Sequence, residues 1–135
     1  MEKEEIEARV KNLILLALQS LEKARNLDFQ IGERNFESKI WYSFMYVEAS
    51  IALVKAANNK DYPKAQYNVR ALIQKEPSSL LLDAYRSVAK SVTLFSSGGI
   101  DSCISELRNA RNNLRAFLIA SRKKRIDSRE AKFVR

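Results

Sequence analysis

The 135-residue chain is 46% hydrophobic and 30% charged, with 3 Gly, 2 Pro, 1 Cys, no His and a formal net charge of +8. That length supports one domain with its own core; the few Gly and Pro exclude a turn-rich all-β fold, and the apolar share excludes a wholly disordered chain. No run of about 18 uncharged apolar residues is present to span a membrane, and the missing histidine removes the commonest general base and metal ligand together.

The pattern predicts five helices, an all-α antiparallel bundle in a single domain. The first runs from about Glu2 to Leu27, where Ile6, Val10, Leu13, Ile14, Ala17, Leu21 and Ala24 recur at three- and four-residue spacing. Gly32 falls in the loop after it. The second covers about Phe36 to Asn58. One stripe is Phe36, Ile40, Phe44, Val47, Ile51 and Val54; a second is Tyr42, Tyr46, Ala49, Leu53 and Ala57, with Trp41, Met45 and Ala52 between them. A helix apolar on nearly all sides is expected to be the central helix of the bundle, or else to turn one face to a partner.

Asn58-Asn59-Lys60-Asp61 breaks the pattern, and Pro63 sits where a first-turn proline is tolerated. Ala65, Val69, Leu72 and Ile73 carry a third helix that stops before Pro77. Ser78 or Ser79 is expected to cap the fourth, with Leu81, Tyr85, Val88, Val92 and Phe95 facing inward. Gly98-Gly99 ends it, because glycine adopts the left-handed conformation that closes a helix. Asp101 or Ser102 caps the fifth, whose inward residues are Cys103, Leu107, Ala110, Leu114, Phe117 and Leu118. Residues 1–121 form the expected bundle, and 122–135 a basic C-terminal extension, either more helix or frayed.

Three local patterns resemble known families. Ser97-Gly98-Gly99-Ile100-Asp101-Ser102, after Val92-Thr93-Leu94-Phe95, resembles the SGGxDS loop of the ATP pyrophosphatases, in which backbone N–H groups cradle pyrophosphate. That family sets the loop in a parallel α/β sheet, yet only 33 residues follow Ser102 here and they read as one helix and a tail. A glycine helix stop followed by an Asp/Ser cap accounts for the same six residues. Asp61-Tyr62-Pro63-Lys64-Ala65 with Val69, Leu72 and Pro77 resembles the second helix of a tetratricopeptide repeat, but no second copy lies about 34 residues away. The size, the helix count and Glu48-Ala49-Ser50-Ile51-Ala52-Leu53-Val54-Lys55 are similar to the HEPN-type helical bundles. The nuclease members of that group carry an Arg…His motif, which a chain without histidine cannot supply.

The basic residues are concentrated towards the C-terminus. Residues 122–135 hold seven basic and two acidic residues, whereas Glu2, Glu4, Glu5 and Glu7 crowd the first helical turn. At about 100° per residue, Arg108, Arg111, Arg115 and Arg122 fall within about 60° of one another. None has an acidic residue at i−4, so they read as an unpaired basic ridge leading into Lys123, Lys124 and Arg125. Asn109, Asn112 and Asn113 lie on the same helix. Arginine's planar fork suits phosphate. These seven basic residues are the expected nucleic-acid-binding set. The other reading of the ridge is a solvated face, or arginines pairing with acids from other helices.

No catalytic constellation is legible. Cys103 lies on a buried stripe, where a thiol is inert. The expected function is a non-catalytic binding module that holds nucleic-acid phosphates without sequence specificity. The alternative is a protein–protein adaptor or self-associating bundle whose interface is Trp41, Tyr42, Met45 and Tyr46. Neither a cofactor nor a metal is expected. A lone cysteine and the acidic start, Met1-Glu2-Lys3-Glu4-Glu5, point to the cytoplasm rather than to export.

Overall fold

A computed structural model describes residues 2–25, 34–58 and 69–133. Its elements are α1 (Lys3–Arg25), α2 (Arg34–Asn58), α3 (Val69–Ile73), α4 (Pro77–Ser96) and α5 (Ile100–Phe133). Among the described residues all regular structure is helical, as the periodicity requires. The expected positions Leu27, Gly32, Pro63 and Ala65 lie outside the described residues.

Four long helices close into a ring in which α1 packs on α2, α2 on α5, α5 on α4 and α4 back on α1. The start of α1, the end of α2, the end of α4 and the start of α5 share one end of the bundle, where Lys3, Ala57, Ser96 and Ile100 surround a common cleft. Adjacent helices are therefore antiparallel throughout. The short α3, between α2 and α4 in the chain, packs against α5.

The core is apolar and joins all four long helices. Val10, Ile14, Ala17 and Leu21 of α1 meet Ile40, Val47, Ile51 and Val54 of α2, with Leu80, Ala84 and Val88 from α4 and Leu107, Leu114 and Phe117 from α5. Phe36 and Phe117 lie ring to ring at 5.9 Å and 55°, one aromatic from each of α2 and α5.

Three sequence expectations need correcting. The central helix is α5, not α2. Along its first half Ile104, Arg108, Asn112 and Ala116 are buried on one side and Leu107, Ala110, Leu114 and Phe117 on the other. The second helix instead leaves Trp41 49%, Tyr42 56% and Met45 50% exposed. Asparagine and arginine at buried positions of α5 hid its central role, because such residues ordinarily mark a solvated face.

The inward face of α4 is also displaced by about one residue. Leu80, Ala84, Ser87, Val88 and Ser91 are buried, whereas Leu81, Tyr85, Val92 and Phe95 pack only at its margin. The buried serines act as small residues. Ser91 returns its hydroxyl proton to Val88 O at 2.6 Å within its own helix, so little polar cost remains and α5 can come close. Cys103 Sγ then reaches Ser91 O at 3.6 Å across the pair.

Thirdly, neither Ser78 nor Ser79 caps α4, and neither Asp101 nor Ser102 caps α5. Pro77 opens α4 after Glu76, whose φ of −56° and ψ of 131° are the extended angles a residue takes before proline. Ile100 opens α5, which places Asp101 inside its first turn, where a carboxylate favours the helix dipole.

The glycine stop after α4 is as expected. Gly98 has φ +83°; its N–H reaches Phe95 O at 3.3 Å and that of Gly99 reaches Leu94 O at 2.9 Å, the paired bonds of a Schellman ending. A methyl group at Gly98 would touch nothing within 4 Å, so its cost lies in the backbone alone. Gly98→Ala is expected to lower stability by about 1–2 kcal/mol without altering the helical circular dichroism, as measured by urea denaturation.

Candidate functional site

The seven basic residues do not stay together. Arg108 is only 9% exposed and takes no part in an open surface. Asn112 and Asn113 are buried too, and Asn113 Nδ2 donates to Asn109 O at 2.9 Å. Arg111 Nε lies 3.4 Å from Glu48 Oε1 on α2 and also donates to Asn112 Oδ1. Arg125 pairs with Glu37 of α2. The expected ridge of unpaired arginines is thus corrected: searching only i−4 positions on one helix overlooks acids supplied by the neighbouring antiparallel helix.

Arg115, Arg122, Lys123 and Lys124 remain exposed. Arg115 and Arg122 face α2 across the α2–α5 seam, where an open groove of about 810 Å³ runs between the helices. From α2 come Arg34, Trp41 and Phe44; from α5 come Arg115, Ile119 and Arg122, with Glu37 and Arg125 also in the wall. Arg115, Arg122 and Arg125 of the expected basic set and Trp41 of the expected aromatic interface, read from sequence as rival surfaces, line one groove. Arg34 is not among the seven expected basic residues. Its signal is its place in the first turn of α2, which antiparallel packing sets beside the late turns of α5.

The four residues of the expected aromatic interface separate by helical angle. Trp41 lies in the groove, and Phe44 stacks against its ring with centroids 5.4 Å apart and planes at 23°. Met45 is exposed one turn further along α2, Tyr42 is exposed about 100° round the helix, and Tyr46 packs against the core.

Glu37 organises this end of the seam. Its Oε2 accepts the Ser121 hydroxyl at 3.0 Å and also the Arg125 guanidinium. Ser121 is buried, so removing its acceptor leaves a hydroxyl without compensation. Counting Arg34, Arg115, Arg122 and Arg125 against Glu37, the wall carries a net charge of about +3.

On the opposite side of the bundle, Tyr85 on α4 donates its hydroxyl to Glu22 Oε1 at 3.1 Å, and Arg25 lies 5.6 Å above its ring. The bond to Glu22 is the main cause holding the phenol above its usual range. The Ser97–Ser102 segment is the helical hairpin between α4 and α5, and Val92 to Phe95 are the last turns of α4 rather than a strand. Burial pushes the Cys103 thiol from its ordinary value of 9.0 up to about 11. Among the described residues no cluster of His, Cys, Asp and Glu is placed to hold a metal, and no helix is long and apolar enough to cross a membrane.

No family model, curated protein or solved structure matches this chain.

Two outcomes are expected from this geometry. Glu37→Ala should destabilise the fold by about 1–3 kcal/mol in urea melts, with Glu37→Gln costing less because an amide oxygen still accepts from Ser121. Cys103 should resist thiol reagents at pH 8 until the protein is unfolded, since about one folded molecule in 1,000 carries a thiolate there, against about one in ten when unfolded. The folded thiol holds its proton more tightly, so this stability contribution is intact below about pH 9 and is lost as pH rises towards 11.

Proposed function

We propose that this protein is a non-catalytic module that binds a nucleic-acid backbone in the α2–α5 groove, without base-specific readout. One observation carries the reading: Arg115 and Arg122 from α5 and Arg34 from α2 converge on one open groove, with Lys123 and Lys124 exposed on other faces of the same turn of α5. Guanidinium groups spread along a seam suit a chain of phosphates better than a single small anion.

The distribution of charge supports the same partner. Glu4 and Glu5 open α1 at the end of the bundle opposite the basic turns of α5. Such a separation orients an approaching polyanion towards the groove. The rival reading is a protein interface on Trp41, Tyr42 and Met45. In its self-associating form, a two-fold pairing through this face would bring Arg34, Arg115 and Arg122 up against their own copies, and like charges there cost affinity. A protein partner that is not a copy of the chain would need an acidic surface to match.

The test is fluorescence anisotropy with a labelled single-stranded RNA and a duplex DNA at about 50 and 200 mM salt. About four phosphate contacts predict a salt slope near −2.8 on single strands, or roughly a fifty-fold loss of affinity over that interval. Arg115→Glu with Arg122→Glu should weaken binding and flatten the slope by about 1.4. Binding that ignores salt, or that survives the double substitution unchanged, overturns the proposal.

A further inference from the structure

We infer that the groove takes unpaired nucleotides, with one base stacked on Trp41 while the flanking phosphates lie on Arg115 and Arg122. This rests on the polyanion reading above and names the class of nucleic acid.

Three observations lead to it. Trp41 is half exposed although it sits in a walled groove, and Phe44 stacks on it with planes at 23°, so the indole is held at a set angle instead of folding down into the core. A solvent-facing aromatic that is braced from behind has lost its conformational freedom before any ligand arrives, which lowers the ordering cost of a stacking contact. Secondly, Ile119 lies opposite on α5 and is itself 40% exposed. The groove therefore has apolar walls on both sides with cations along them, whereas a site for phosphate alone has no use for an exposed indole and isoleucine. Thirdly, Arg115 and Arg122 stand two helical turns apart on the same face, about 10.5 Å along the axis, so each grips a different phosphate.

Geometry selects the single strand. Packed helices have axes about 8–10 Å apart, and the seam between them admits one backbone more readily than a duplex. In a duplex the bases are already stacked on each other and turned inwards, which leaves Trp41 and Ile119 unpaired with anything. An unpaired base offers a free π-face of any identity, which accounts for binding without sequence readout.

Trp41 is the single tryptophan of the chain, so its emission reports on the groove alone. The experiment titrates the full chain with oligo(dT), with a duplex of equal length and with heparin, a polyanion that has no bases. It follows Trp41 emission, with anisotropy of labelled strands for the variants. Oligo(dT) is expected to quench Trp41 and to bind more tightly than the duplex. Heparin is expected to bind with little quenching. Trp41→Ala should weaken oligo(dT) by about 5- to 150-fold while leaving heparin within a few-fold, and Trp41→Phe should restore most of the loss. Unchanged circular dichroism for both variants separates this from misfolding. If oligo(dT), duplex and heparin bind alike and Trp41→Ala weakens none of them, the stacking inference is overturned and the charge reading stands. If no polyanion binds at low salt, both fall.

Discussion

The antiparallel seam between α2 and α5 is the contact on which the rest of the molecule depends. Inside the bundle it is closed by Phe36 against Phe117, and nearer the surface by Glu37, which accepts from both Ser121 and Arg125. The inner contact sets the register of the two helices through a large buried area. The outer one fixes where the late turns of α5 lie relative to the first turns of α2. Shifting that register by one turn would separate Arg34 and Trp41 from Arg115 and Arg122, and the groove would no longer exist as a single surface.

The position of α5 follows from its neighbours. The tight Gly98-Gly99 turn returns the chain directly onto α4, and the small side chains Ala84, Ser87 and Ser91 let the two helices approach. With α2 on another flank and α3 on a third, the first half of α5 has little surface left to show. That is why Arg108, Asn112 and Asn113 are buried while Arg115 and Arg122, about two and four turns beyond Arg108, are open. The 34-residue α5 is also longer than the 20 to 25 residues of the three helices that complete the ring. Lys123 and Lys124 sit level with the Arg125–Glu37 contact but are turned away from α2 by the helical rotation, which leaves them in solvent.

Electrostatics here is decided between helices rather than along one. Glu48 draws Arg111 towards α2, and Glu37 does the same for Arg125. Surface pairs of this kind add little stability singly, yet they determine which guanidinium groups face outwards as a set. The result replaces a continuous ridge on one helix with a cleft between two. A cleft suits the proposed chain-like ligand better, because side chains from two helices can reach it at once.

The sequence by itself determined the fold class and most of the architecture. Helical periodicity, a Gly98-Gly99 stop and Pro77 are local signals, and local backbone geometry obeys them wherever the segment ends up. It also determined that the C-terminal half is basic and that the second helix is rich in aromatics. Tertiary structure alone decided which helix is central and which face of α4 is buried, because packing rewards the small volume of Ser87 and Ser91 while their composition reads as polar. It likewise decided the candidate site. Whether Arg111 and Arg125 are paired, and whether Trp41 stands beside Arg115, depends on residues more than 50 positions away. Only helix register relates positions so far apart, and register is fixed by the whole core at once.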